Sequence, residues 1–298
     1  MNELSYLLLN KPSGITSFDA LRPIKKLLQT GKVGHCGTLD KFATGLLILL
    51  TGKSLKLSNY FMNCAKHYEG TICFGKQTDT LDPEGATVKK AALPSLCDIE
   101  AALPSFVGSI MQTPPEYSAL HINGKRASDI ARSGQSPAVK PRNITIYDLS
   151  LLDWSPPFAK ISVHCSSGTY IRSLARDIGA KSGSCAYLCE LKRNSIGGFS
   201  RDDAFNLADL QDTNAAKAAL CPVSPETFAK IGIACIEIDE KTAASMKHGA
   251  PLSKLPLKII ATKPTMAVFC GGNLAALIEH SENHNGGKKS GWKYGFVV

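Results

Sequence analysis

Apolar positions along this chain fall into short runs with two different periods. Residues 5–9 are a compact apolar run that predicts a short strand, entering a turn at Asn10-Lys11-Pro12-Ser13-Gly14. Ser17 is a fair N-cap for a helix reaching about Leu28. Residues 31–45 read as a glycine-rich loop, 46–50 as a buried strand, 54–61 as helical and 66–74 as an alternating strand. After a turn-rich stretch at 78–85, residues 95–106 predict a helix. Thr113-Pro114-Pro115 then opens a long, polar, basic segment with a helical patch near 127–133. Residues 144–154 and 158–165 predict two strands joined through Ser155-Pro156-Pro157, a hairpin signal. Helical spacing returns over 169–181, with Ile171, Leu174 and Ile178 on one face, and a strand follows over 188–196.

Beyond Gly232 the pattern changes. Residues 236–239 lead into a short helix over 240–248, and short strands are expected near 257–261, 266–269, 274–278 and 293–297. Between the last two, residues 281–290 are polar and rich in Gly and Lys, as a hairpin tip would be. Strands and helices intermingle without regular βαβ alternation. The expected class is therefore α+β, a central mixed or antiparallel sheet flanked by helices, plus a small β-rich C-terminal module. A length of 298 residues fits two domains, 1–232 and 233–298.

Charge changes the picture next. Thirty-four Lys and Arg against 25 Asp and Glu give a net charge of +9. The excess is concentrated: residues 1–60 carry eight basic side chains against three acids, and residues 121–147 carry five against Asp129. Two basic segments favour a polyanionic partner, RNA or DNA. The ten cysteines include no Cys-x-x-Cys pair, and most stand in apolar stretches, which points to free thiols in a cytoplasmic protein without a structural metal. No apolar run approaches the roughly 20 residues a membrane span needs, and the N-terminus does not read as a signal peptide.

The densest chemical signal is Gly34-His35-Cys36-Gly37-Thr38-Leu39-Asp40-Lys41-Phe42-Ala43-Thr44-Gly45. Its glycines permit tight turns and close ligand approach, and Asp40 precedes a buried strand, good placement for a nucleophile or base. A turn-capping aspartate is the commoner role for such a residue, so physics alone does not decide. Gly52-Lys53-Ser54 ends like a phosphate-binding loop, but that motif needs a Gly where Leu47 stands. Nor does a Gly-x-Gly-x-x-Gly open a helix after a strand.

The Asp40 loop resembles the signature of the TruB family of pseudouridine synthases, and three further blocks resemble that family in the same order. These are residues 9–17 around Lys11-Pro12-Ser13-Gly14, residues 66–82 around Tyr68 and Gln77-Thr78-Asp79-Thr80-Leu81-Asp82, and residues 168–179 around Tyr170-Ile171-Arg172, followed by Leu191-Lys192-Arg193. The C-terminal module is similar to the PUA-type RNA-binding domain of bacterial members.

The resemblance implies a pseudouridine synthase fold and an activity: isomerisation of uridine 55 in the T-arm of tRNA, with base flipping and no cofactor. It implies Asp40 as the catalytic residue, Arg172 as its partner, and Tyr68 packed on the target base. His35 would fill the space left by the flipped nucleotide, and Tyr170 and Leu191 would wall the pocket. Residues 115–141 would form a thumb that grips RNA, with Lys125, Arg126 and Arg132 on phosphates; Lys11 and Lys41 are further expected backbone contacts. The expected protein is a monomer with tRNA as partner, no obligate protein partner and no membrane association. A non-catalytic RNA-binding protein or tRNA-folding chaperone is the alternative. Cys36 and Lys41 depart from the family's usual Thr and Pro beside Asp40, and Ser128 and Tyr187 from its usual aromatic and His. Lys41 brings a possible phosphate or Asp40 partner.

Overall fold

A computed structural model describes residues 4–258, 263–281 and 291–298. The expected strand at 257–261 and the hairpin tip at 281–290 fall largely outside those residues. The main body is one 11-stranded sheet. Its principal strands are β1 (Leu4–Lys11), β2 (Val33–Cys36), β3 (Thr44–Gly52), β4 (Lys66–Phe74), β5 (Gly108–Gln112), β6 (Arg142–Ser155), β7 (Phe158–Cys165) and β8 (Ala186–Ile196). The order across the sheet is β1-β3-β8-β4-β7-β6-β5, with β2 paired to β3 and short strands extending the β1 edge and β8. Most pairs are antiparallel; β8 meets β3 in parallel, at Lys192↔Thr44 and Arg193↔Gly45. That parallel seam joins two antiparallel halves and carries the site.

Helix α1 (Ser17–Leu27) lies beside the first half and α2 (Ile171–Lys181) beside the second. Helix α1 is amphipathic, burying Ala20, Leu21 and Ile24 against Leu7, Leu9, Leu47 and Leu49. Helix α2 buries Ile171, Leu174 and Ile178 against Ile72, Ile161 and Leu188, the face its spacing predicts. Each fully buried aliphatic side chain contributes about 1.5–3 kcal/mol relative to exposure, so these two stripes fix both helices to the sheet.

Two local expectations are corrected, and the helical reading of 54–61 holds in two pieces. The cap of α1 is Thr16, whose hydroxyl accepts from the Asp19 amide while Asp19 reaches back to Thr16 in a capping box. Ser17 is buried and serves a different purpose, accepting from the Leu39 amide at 2.9 Å and donating to the Leu39 carbonyl at 3.0 Å. The glycine-rich loop is not loop throughout: residues 33–36 pair with β3 as β2, because Val33 and Cys36 have apolar core to enter. Residues 53–62 divide into a 3₁₀ turn (Lys53–Leu57) and a short α-helix (Ser58–Met62).

The C-terminal residues form a separate four-stranded sheet of β9 (Ala234–Glu237), β10 (Thr265–Cys270), β11 (Asn273–Ser281) and β12 (Gly291–Val297). Its inner residues Ala267, Phe269, Leu274, Leu277 and Phe296 join one core with Leu46, Ile48, Phe61, Phe199 and Phe228 of the main body. Tyr60 adds a 2.5 Å hydrogen bond to Glu279 across that contact.

Candidate active site

The N-terminal segment and the Asp40 loop are laced together. Gly14 N–H donates to the Lys41 carbonyl at 2.9 Å, Ser13 Oγ donates to the Phe42 carbonyl at 2.9 Å, and Ser17 pins Leu39 from the other side. Lys11 is fully buried, its ammonium donating to the carbonyls of Pro12 (2.9 Å), Ile15 (2.7 Å) and Lys41 (3.4 Å). The expectation that Lys11 meets RNA phosphate is therefore corrected: an ammonium bonded to three carbonyls inside the protein braces the loop. Burial lowers the Lys11 pKa to about 8, partly offset by the negative charge of Asp40. At the seam, Gly45 has φ +106° and a Cβ there would lie 2.3 Å from the Arg193 carbonyl oxygen, so only glycine fits.

Asp40 and Arg172, 132 residues apart in sequence, meet in the fold. Arg172 Nη2 donates to Asp40 Oδ1 at 3.0 Å, and Nε lies 2.9 Å from Oδ2 without the alignment of a hydrogen bond. Asp40 keeps about a third of its side chain exposed, whereas that of Arg172 is 5% exposed. The remaining donors of Arg172 go to the Thr80 carbonyl (2.8 Å), the Tyr117 carbonyl (3.0 Å) and Asp82 Oδ2 (3.3 Å). One guanidinium thus serves two carboxylates. Asp82 is buried, which pushes its carboxyl above the usual carboxylate range; the Thr80 hydroxyl, Arg172 and the Glu84 amide pull the other way.

Around Asp40 opens a cavity of about 250 Å³, lined by Tyr68, Tyr170, Arg172, Leu191, Lys66 and Arg193 among others. Tyr68 and Leu191 are each 8% exposed. Burial raises the Tyr68 pKa, with the nearby positive charge of Arg193 pulling the other way, so it is a neutral phenol at neutral pH. Tyr170 is fixed at the entry of α2 by Gln112, which accepts from its amide (2.8 Å) and donates to its carbonyl (3.1 Å), while Arg142 covers its ring at 4.8 Å. His35 lines an adjoining cleft of about 650 Å³ that also holds Asp40 and Arg172. Its Nδ1 is buried without a hydrogen-bond partner among the described residues, and burial lowers its pKa.

The other expected contacts divide. Arg126 and Arg132 line the wider cleft; both are exposed, and Arg132 holds only a loose 3.7 Å pair with Asp129. Lys125 is exposed on the same two-residue hairpin strand as Arg126 but does not line the cleft. Lys41 pairs with Glu84 at 3.2 Å with both side chains half-exposed, so Asp40 is not its partner. Cys36 lies in the core, where burial pushes its thiol up to about 12.

Three cleft residues escape a reading by motif roles alone: Asp82, Lys66 and Arg193. Arg193 is buried, donating to the Leu46 carbonyl at 2.8 Å and the Gly37 carbonyl at 3.1 Å, so it joins both halves of the sheet. Lys66 donates to the carbonyls of Met62 and Cys64, and burial holds its pKa down to about 8. Period-two alternation was the available signal for Arg193, which shares a strand face with Leu191.

Known proteins resemble this chain over most of its length. Residues 25–171 match the model of the TruB family pseudouridylate synthase N-terminal domain. A protein named tRNA pseudouridine synthase B from Borreliella afzelii (strain PKo) is 44% identical over 251 residues, 83% of this chain and 86% of the relative. The chain belongs to the TruB family. A TruB relative of the same name from Borrelia garinii subsp. bavariensis is 47% identical over 252 residues (83% and 86%), and one from Thiobacillus denitrificans 43% over 245 residues (82% and 82%). Among solved structures, a chain of a Cbf5-Nop10-Gar1 complex superposes with a TM-score of 0.71 at 24% identity, covering 99% of this chain and 84% of that one. That likeness places the TruB chain in the pseudouridine synthase fold, with a mixed sheet, flanking helices and a small β-rich C-terminal domain. No described helix is long and apolar enough to cross a membrane.

Proposed function

We propose that this TruB chain isomerises uridine 55 in the T-arm of tRNA to pseudouridine, with Asp40 as the catalytic carboxylate. One observation carries the site assignment: Asp40 is the carboxylate that lines the cavity of about 250 Å³, partly exposed and oriented from behind by a buried arginine. The relatives' shared name carries the substrate. The reaction cleaves the N1–C1′ glycosidic bond, turns the uracil and joins C5 to C1′. The C5 hydrogen leaves as a proton and N1 gains one, so no atoms or electrons are exchanged with a second substrate.

Each residue type suits this chemistry. An ionised carboxylate is required at the reacting sugar or base, and the Arg172 guanidinium orients Asp40 for that role through its hydrogen bond to Oδ1. The detached uracil must stay captive, a task for the apolar walls of Tyr68 and Leu191. Tyr170, held by Gln112 and Arg142, closes the third side. His35, with its unpartnered Nδ1, stands where it can replace the flipped base, which costs a few kcal/mol to extrude. Residues 115–141 act as the thumb, with Arg126 and Arg132, and Lys125 beside them, on backbone phosphates; Lys41 reaches phosphate by releasing Glu84. We take residues 1–232 as the catalytic domain and 233–298 as a PUA-type RNA-binding domain of a cytoplasmic monomer.

The test incubates purified protein with an unmodified tRNA transcript, without added cofactor, and maps pseudouridine by carbodiimide treatment and primer extension. A stop at the T-arm uridine with wild type, absent with Asp40→Asn, is the expected result. Salt-sensitive tRNA binding without pseudouridine in wild type overturns the enzyme reading. Activity surviving in Asp40→Asn overturns the role given to Asp40.

A further inference from the structure

Phe18 is on the first turn of α1, 57% exposed, and lines the wider cleft together with His35 and Asp40. An exposed phenylalanine is ordinary in itself; its neighbours are less so. The guanidinium of Arg22 lies 5.6 Å and the ammonium of Lys25 5.5 Å from the ring centroid. These residues are at i, i+4 and i+7, so α1 presents them as one stripe, along the flank of the face it buries. Arg22 is 70% exposed, with a solvent-facing 3.4 Å pair to Asp19. Arg126 and Arg132 line the same cleft from the thumb.

We propose that Phe18 is a stacking platform for an unpaired nucleobase of the RNA substrate, with Arg22 and Lys25 meeting the phosphates beside it. This rests on the reading of the chain as an RNA-modifying enzyme. Charge complementarity and ring geometry together select the occupant: an acidic peptide would satisfy the two cations but leave the flat aromatic face unused. RNA offers a π-face and phosphates a few ångströms apart, and unpaired bases are recognised by such stacking. The need is also local. Flipping the target nucleotide into the Asp40 cavity unstacks its neighbours, and Phe18 offers one of them a new face at the cleft rim.

The experiment measures kcat and KM for pseudouridine formation on a T-arm hairpin transcript, with binding titrated at several salt concentrations. Phe18→Ala should raise KM and Kd about 10-fold, as loss of one base stack does, with kcat and Tm near wild type. Phe18→Tyr should restore binding and Phe18→Leu should not. Salt dependence should be unchanged in Phe18→Ala, whereas Arg22→Gln and Lys25→Gln should each reduce the salt slope by about one. A Phe18→Ala protein within twofold of wild type in both KM and Kd overturns the proposal, as does a Phe18→Leu protein that binds like Phe18→Tyr. If wild type forms no pseudouridine, the enzyme reading fails by itself, and the Kd ratios still decide the platform.

Discussion

At the floor of the cleft, Arg172 is shared by two carboxylates and two backbone carbonyls, with 5% of its side chain in solvent. In residues 115–141, by contrast, Arg132 is 71% exposed and holds one loose pair. The two regions share a cleft and divide its work. A reacting carboxylate must be held in one geometry before substrate arrives, and that takes buried, over-determined contacts. A surface that grips a polyelectrolyte gains from cations that are free to reach phosphate, and stability is not asked of it.

Substitutions at the floor should break the comparison most severely. Asp40→Asn keeps the shape and should lower kcat by roughly 10⁴-fold, the scale on which losing one member of a catalytic unit is felt; single-turnover kinetics on the transcript give the number. Arg172→Ala leaves Asp82 buried without its guanidinium and should cost about 2–4 kcal/mol of stability, less than a fully buried pair because Asp40 reaches water. Urea unfolding would show it as a lower midpoint, together with lost turnover.

Next comes a pH effect peculiar to the floor. Lys66 is about 8 when folded, below its ordinary value of 10.5. Between those values the unfolded chain binds more protons, so this lysine's contribution to stability increases as pH rises. Wild type should therefore gain on Lys66→Met by on the order of 1–2 kcal/mol between pH 7 and 9.5. Urea midpoints of the two proteins across that range test the sign.

The thumb should give the smallest effects. Arg126→Gln and Arg132→Gln should each raise KM a few-fold and reduce the salt slope of binding by about one, with Tm unchanged. A drop in Tm would mean that the thumb arginines help to hold the fold, and the division of labour would be lost.

The elements were largely legible because their periods are clean, as in the 171–181 helix and the hairpin through Pro156. The sheet order was not, since nothing local says that β8 enters between β3 and β4. The Asp40–Arg172 pair was reachable only through four ordered motifs, because 132 residues separate its members. Lys11 misled because a lysine beside a turn reads as exposed. Its burial depends on three carbonyls, two of them supplied by the turn and one by a loop 30 residues away. Asp82 stood inside a quoted motif, but its role becomes visible only when the far side of Arg172 is seen.

The shared core beneath the C-terminal sheet bears on modularity. Phe269, Leu277 and Phe296 occupy the same cluster as Phe61 and Phe228, so the smaller sheet is a wall of the larger body. Cutting the chain after residue 232 would open that wall and leave an oily face on the catalytic half. The two parts are linked as a keystone is to its arch: the smaller piece can diversify at its outer rim, but it cannot be exchanged or discarded without the span that leans on it.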